Sequence, residues 1–224
     1  MICLQIAIDG PTASGKSSIA KAVAQSLGYI HIDTGAMYRA MALYAIENSI
    51  TWTNEQGLTK LLESIDIDIK HVDQVQRVFL CGKDITIKIR DNDIGLGASS
   101  VAKYPAVRQK FVVYAQSLAN NKNVVMDGRD IGTVVLKNAD VKIYLYADVD
   151  IRAKRRVEEL KLLGHNPTLK EVKQKLEQRD YDDMNRAITP LAVAKDAIKL
   201  DTSLLSQEGA LNAILGIVNN MKGV

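Results

Sequence analysis

Cysteine, proline and aromatic side chains are all scarce in this 224-residue chain: two Cys, four Pro, one Trp, two Phe and eight Tyr. Cys3 and Cys81 form no C-x-x-C pair, which excludes a cysteine zinc site or a disulfide framework and fits a reducing, cytoplasmic setting. The few prolines and the lack of any low-complexity tract exclude wholesale disorder. No charge of one sign dominates, because 29 basic and 26 acidic residues leave +3, too little for a nucleic-acid wrapper. Long apolar runs are missing as well. Ile2 to Ile8 is too short to span a bilayer, lacks a basic leader and runs into Asp9-Gly10, so neither membrane nor nucleic acid is an expected partner. His31, His71 and His165 lack ligand spacing and read as structural or surface residues, and Trp52 as a core or boundary residue.

The pattern that is present is that of an α/β protein. Ile2 to Ile8 is a buried strand ended by Asp9-Gly10-Pro11. Ile19, Val23 and Leu27 then recur at helical spacing, with Gly28 as the stop. Tyr29 to Ile32 is a second strand, and Asp33-Thr34-Gly35 opens a helix through Tyr38, Met41 and Ala45 with acceptors suited to capping its first turn. Between Ile65 and Ile89 strict alternation in Ile65 to Lys70, Val75 to Leu80 and Ile85 to Ile89 predicts a small antiparallel insert. Pro105 begins a helix with Val107, Phe111, Tyr114 and Leu118 on one face. Val124 to Met126 and Val141 to Tyr146 are further core strands, followed by charged helices over Asp150 to Gly164 and Thr168 to Asn185. Ala197 to Leu200 and an amphipathic helix close the chain. The sum is a five-stranded parallel sheet flanked by helices.

Gly10-Pro11-Thr12-Ala13-Ser14-Gly15-Lys16-Ser17 falls between a strand and a helix, the setting in which G-x-x-x-x-G-K-[ST] cradles phosphates. Backbone N–H groups converge on phosphate oxygens, Lys16 reaches the β and γ phosphates, and Ser17 offers a hydroxyl to Mg²⁺. Asp127, at a strand end, has two readings: a support for Mg²⁺ through water, or a cap on the next turn. Switch proteins share this loop but also use Asn-Lys-x-Asp, and Asn121-Lys122-Asn123-Val124 has no Asp at the fourth place.

A kinase needs a second anion site in line with the donor. Arg39 in Asp33-Thr34-Gly35-Ala36-Met37-Tyr38-Arg39 and Arg129 in Asp127-Gly128-Arg129-Asp130-Ile131-Gly132-Thr133 both follow strand ends, which face one cleft in a parallel sheet. Arg179, Asp183 and Arg186 recur at i, i+4, i+7, as on one helix face. A solvated helix would show the same charges.

These four segments, with Arg179 running on to Pro190, together resemble the bacterial cytidylate (CMP) kinase family over nearly the whole chain. The resemblance implies a three-layer P-loop kinase with the β insert and a helical lid. It divides the chain into core segments of about 1–34, 121–150 and 186–224, an acceptor-binding region of about 35–120 including the insert at 65–89, and a lid with its following helix at about 151–185. It implies ATP as donor with Mg²⁺, CMP or dCMP as acceptor, and a monomer. Gly10 to Ser17 with Ser18 would bind ATP. Arg39, Arg129 and Arg186 would hold the acceptor phosphate, Tyr38, Arg179 and Asp183 would surround the ribose, and Ser99, Arg108 and Asp130 would read the cytosine edge. Thr34 stands where the family often has Ser, which bears on ribose against deoxyribose.

Ile151-Arg152-Ala153-Lys154-Arg155-Arg156 would be the lid, with Arg152 and Arg156 closing over the triphosphate. A basic surface helix is the alternative, and no aromatic interleaving supports base stacking. Lys16, Arg129, Arg152, Arg156 and Arg186 are then the residues that stabilise the transferring phosphoryl group. The acceptor is already an anion, so no general base is expected. Another P-loop small-molecule kinase or a nucleotide-operated switch are the competing readings.

Overall fold

The apolar runs become the central strands of a parallel sheet in the computed structural model, which describes residues 3–72, 75–162 and 164–222. Ile2 of the expected opening strand lies outside them, as do positions 73 and 74 of the insert and 163 of the lid. β1 (Gln5–Asp9), β2 (Ile30–Asp33), β6 (Val124–Gly128), β7 (Val141–Tyr146) and β8 (Ile198–Asp201) pair in the order β2-β6-β1-β7-β8. All four pairings are parallel. Every strand therefore ends on the same edge, and the loops after β1, β2, β6 and β7 meet there.

Alternation along β1 separates two apolar layers. Ile6 and Ile8 pack with Ile19 and Val23 of α1 (Lys16–Leu27) and Ile214 and Val218 of α8 (Gln207–Lys222). Ala7 faces the other layer, with Met37 and Met41 of α2 (Gly35–Glu47) and Phe111 of α5 (Pro105–Ala119). A third, smaller cluster joins α6 (Val149–Leu162) to α7 (Leu169–Asn185) through Ala153, Leu160, Val172 and Leu176, and Ala13 of the phosphate loop packs on it. Thr168 and Glu171 form a reciprocal capping box that starts α7.

The insert is an antiparallel sheet of β3 (Ile67–Val72), β4 (Val75–Leu80) and β5 (Lys83–Asp84). Its expected third strand, Ile85 to Ile89, is a turn followed by a 3₁₀ turn at Lys88–Arg90. In a strand Ile85, Ile87 and Ile89 would share one face, whereas here Ile85 and Ile89 are buried and Ile87 is 85% exposed. Turning the chain buries two isoleucines in the core layer of α2 and α5, worth roughly 1.5–3 kcal/mol each. Two helices escaped the periodicity: α3 (Glu55–Ser64), capped by Asn54, and α4 (Asn92–Val101), capped by Asp91. The start of α2 also departs from expectation, because neither Asp33 nor Thr34 caps it by side chain. The Asp33 carboxylate instead accepts from Arg39 Nη2 at 2.5 Å, and the Thr34 hydroxyl donates to the Asp127 carbonyl at 2.9 Å. No helix among the described residues is long and apolar enough to cross a membrane.

Candidate active site

The phosphate loop closes β1 onto α1. A side chain at Gly10 would run into the Leu145 carbonyl oxygen on the neighbouring strand, so only glycine lets the loop leave the sheet there. Ala13 and Gly15 adopt left-handed φ values of 59° and 86°, which curl the backbone around a hollow at the start of α1. Lys16 bends back into that hollow and donates to the Pro11 carbonyl at 3.0 Å. Burial, reinforced by the Arg129 charge, pushes its ammonium down to about 7. The Ser14 hydroxyl is buried with no partner among the described residues. Gly10, Pro11, Thr12, Ser17 and Ser18 all take their places on this loop or the first turn of α1, as the motif requires.

Asp127 caps no turn. Its buried carboxylate sits inside β6, where one oxygen accepts from Ser17 Oγ at 2.6 Å and the other meets His31 Nε2 at 2.8 Å. Burial opposes a charged imidazole, but the hydrogen bond to Asp127 and the charges of Asp127 and Asp33 together raise the His31 pKa. A hydroxyl and a carboxylate side by side are hard oxygen donors of the kind Mg²⁺ accepts while keeping waters and phosphates in its other positions. Asp9, one strand over, accepts from the Ile131 and Gly132 amides at 2.7 and 2.8 Å. It thereby ties the phosphate-loop strand to the π-helical turn Ile131–Val135 and fixes the loop that carries Arg129 and Asp130. Burial pushes the Asp9 carboxyl up to about 6.

Arginines from four elements converge beyond Lys16. Arg129 donates through Nε to Asp183 at 2.8 Å and through Nη2 to the Thr12 hydroxyl at 2.8 Å. Arg39 rests on Asp33, and Arg186 lies 3.9 Å from Asp183. Arg186 is not on the helix face expected for it. α7 ends at Asn185, and Arg186 turns away with an extended backbone while Leu191 N bonds the Asp183 carbonyl. Arg39 Nε, Arg179 Nε and Arg186 Nη2 are buried with no partner among the described residues. Burial, then repulsion from Arg129, lowers Arg179 to about 10. Cations held close with donors unanswered form a preorganised anion site.

Arg108 and Asp130 form a buried ion pair that places a carboxylate and a guanidinium side by side at the edge of this cluster. Tyr38 stacks edge-on against Phe111, with ring centroids 5.2 Å apart, and the Arg108 guanidinium lies over its ring at 5.7 Å. Ser99 stands half-buried on α4, which packs on α2, and makes no side-chain hydrogen bond among the described residues.

The basic helix is not a free surface. Arg152 is buried and donates to the Ala147 and Thr12 carbonyls and, at 2.5 Å, to Asp180. Asp180 also accepts from the Thr12 amide at 3.2 Å, so α6 and α7 grip the phosphate loop together. Arg155 turns toward the Thr202 carbonyl, and Arg156 pairs with Glu159 at 2.7 Å. Asp9, Asp180 and the His31 contact to Asp127 escaped sequence reasoning. The carboxylate of Asp9 directly before the phosphate loop was the one signal available, and its partners lie more than a hundred residues away.

Comparison with known proteins gives one consistent picture. A family model described as cytidylate kinase matches residues 6–220. A cytidylate kinase of Caldicellulosiruptor bescii is 48% identical over 212 residues, covering 95% of this chain and 94% of its own. One from a Geobacillus strain is 46% identical over 220 residues, covering 98% of each. Among solved structures, an unliganded sugar kinase from a Janibacter strain shares the fold with a TM-score of 0.51 at 12% identity, covering 97% of this chain and 95% of that one.

Proposed function

The chain belongs to the cytidylate kinase family, and on that premise we propose a division of labour among its site residues. It is an ATP-dependent phosphotransferase that moves the γ-phosphoryl group of ATP to CMP or dCMP, leaving ADP. The observation that carries the residue roles is the cluster of buried arginine donors without partners beside Lys16. Guanidinium donors left over after Asp33 and Asp183 are engaged are best explained by a ligand that supplies further anionic oxygens.

In this reading Gly10 to Ser18 wrap the triphosphate of ATP, and Lys16 leaves Pro11 to meet the β and γ phosphates. Ser17 and Asp127 would hold Mg²⁺, which when bound neutralises charge on those phosphates. His31 keeps the Asp127 carboxylate aimed at Ser17. Arg39, Arg129 and Arg186 clamp the acceptor phosphate, and the guanidinium forks suit its oxygens. Tyr38, Arg179 and Asp183 border the ribose, while Thr34 acts from behind by joining β2 to β6. Asp130 accepts from the cytosine amine, and Arg108 and Ser99 meet the ring nitrogen and carbonyl. Arg152 and Arg156 answer charge on the transferring group once α6 and α7 close as the lid, spanning about 151–185. Residues of about 35–120 serve as the acceptor-binding part, and 1–34, 121–150 and 186–224 as the core. Transfer needs no general base, because the attacking phosphate oxygen is already an anion. The free thiols of Cys3 and Cys81 and an ATP donor suit the cytoplasm.

The test is ADP production from ATP and Mg²⁺ with CMP, dCMP, UMP and AMP offered separately. CMP and dCMP should lead. UMP places a carbonyl against Asp130 and leaves a polar site unpaired, a mismatch that costs several orders of magnitude in comparable sites. Asp130→Ala should lower kcat/KM for CMP by about a hundredfold or more and narrow the CMP-to-UMP ratio. An unchanged ratio would remove Asp130 from base reading, and AMP ahead of CMP would overturn the acceptor assignment.

A further inference from the structure

The segment that follows α7 is wound more tightly than its sequence favours. Thr189 has φ of 45°, in the left-handed region that a β-branched residue rarely enters, and Pro190 behind it biases it further toward extended backbone. Such a conformation is strained and persists only where surrounding contacts hold it. Two contacts do so here. The Thr189 carbonyl accepts from Arg186 Nε at 2.8 Å, and Leu191 N donates to the Asp183 carbonyl at 2.8 Å. The loop is thus fastened at both ends to the acceptor cluster. Its side chain is not used in the fastening: the Thr189 hydroxyl is buried with no partner among the described residues, and so is Arg186 Nη2. A strained backbone thus locks one guanidinium by its carbonyl and leaves a hydroxyl and that guanidinium's outer nitrogen both unanswered.

We propose that Thr189 is a further acceptor-binding residue, its carbonyl orienting Arg186 and its hydroxyl donating to the same phosphate group of the acceptor nucleotide that Arg186 holds. The proposal rests on the acceptor-site reading above and extends it to a residue outside the arginine set. A phosphate oxygen is the partner because the Thr189 carbonyl already holds Arg186 and a hydroxyl donates well to an anion.

Steady-state kinetics of three full-length variants separate the two roles, since each keeps the backbone carbonyl. Thr189→Val keeps the β-branch and loses the hydroxyl; Thr189→Gly loses it while relieving the left-handed strain; Thr189→Ser keeps it. Both hydroxyl-free variants should raise KM for CMP by at least about tenfold, the loss of a hydrogen bond to a charged group. KM for ATP should stay within about twofold, which also shows that the variants are folded, and Thr189→Ser should behave as the parent. The rise should be the same for CMP and dCMP, because the phosphate is common to both. A parental KM for CMP in both Val and Gly variants overturns the proposal. A rise for CMP without one for dCMP moves the contact to the ribose 2′-hydroxyl and overturns the phosphate assignment. If the unsubstituted protein transfers nothing to CMP while turning over another nucleoside monophosphate, the acceptor reading fails separately, and the same variants tested with that acceptor still decide whether Thr189 holds its phosphate.

Discussion

On the role proposed for it, Lys16 is charged when the triphosphate is present, and it is penalised for its charge when the site is empty. Burial first, and then the Arg129 charge, lower it from 10.5 to about 7 in the empty protein. The folded value lies below the unfolded one, so between about 7 and 10.5 the unfolded chain binds more protons. Stability of the empty protein therefore rises with pH across that window, as the cost of the buried charge disappears. A bound triphosphate reverses the balance by placing negative charge beside the amine, and Lys16 must then take up a proton. Titration calorimetry of ATP into the protein at pH 8, in two buffers of different ionisation enthalpy, should report uptake of a large fraction of one proton. The uptake should fade below about pH 6, where Lys16 is already protonated, and vanish in Lys16→Met. Equal heats in both buffers would mean that the lysine is charged before the nucleotide arrives.

At the scale of elements, a buried ion pair joins α6 to α7 beside the phosphate loop. Asp180 of α7 receives Arg152 of α6 at 2.5 Å and the Thr12 amide at 3.2 Å. Asp180→Ala would leave the Arg152 charge buried without its counterion, which typically costs about 3–5 kcal/mol. Chemical denaturation should show a loss of that order. Replacing both together, as Arg152→Met with Asp180→Leu, should recover most of the stability and none of the transfer rate, because the guanidinium is then missing from the site. A double variant as unstable as Asp180→Ala alone would show that the pair is not the source of the loss. Nothing in the chain's charge pattern distinguished this pair from solvated helix charges: α6 and α7 are densely charged, and burial on their inner faces is decided by the phosphate loop they meet. The same limit explains Ile85 to Ile89. Alternating letters predict a strand when one face is buried, but here the buried positions are four apart and are selected by the core beneath the insert. By contrast β7 fell at Val141–Tyr146 as expected, since a run buried on both faces in a parallel sheet needs no knowledge of its neighbours. Asp130 and Asp183 stood out in the same segments as the arginines. Their pairing with Arg108 and Arg129, and that of Asp33 with Arg39, could not be read from the sequence, because the first two contacts form only when separate elements meet.

For the molecule as a whole, the cluster of buried arginines is a store of repulsion. Arg129 and Arg39 both lower the Arg179 pKa, and Arg108 lowers that of Arg186, in each case after burial itself. A fold that crowds these cations around few carboxylates should be less stable than one with a neutral side chain in place of one of them, and on the roles proposed above it keeps them for the acceptor. Arg179→Met fills similar volume, removes one buried charge and leaves its neighbours less strongly repelled. The empty Arg179→Met protein should melt higher than the parent. A gain of about 1 kcal/mol corresponds to roughly 2–4 °C for a chain of this size. Its response to ligand should move the other way. In the parent, CMP at a hundred times its dissociation constant adds about 2.7 kcal/mol by mass action, whereas the variant should gain little at the same concentration. Thermal melts of both proteins with and without CMP decide the matter: a variant that melts lower when empty would show that Arg179 stabilises the fold, and a variant that CMP stabilises as strongly as the parent would show that Arg179 does not meet the acceptor.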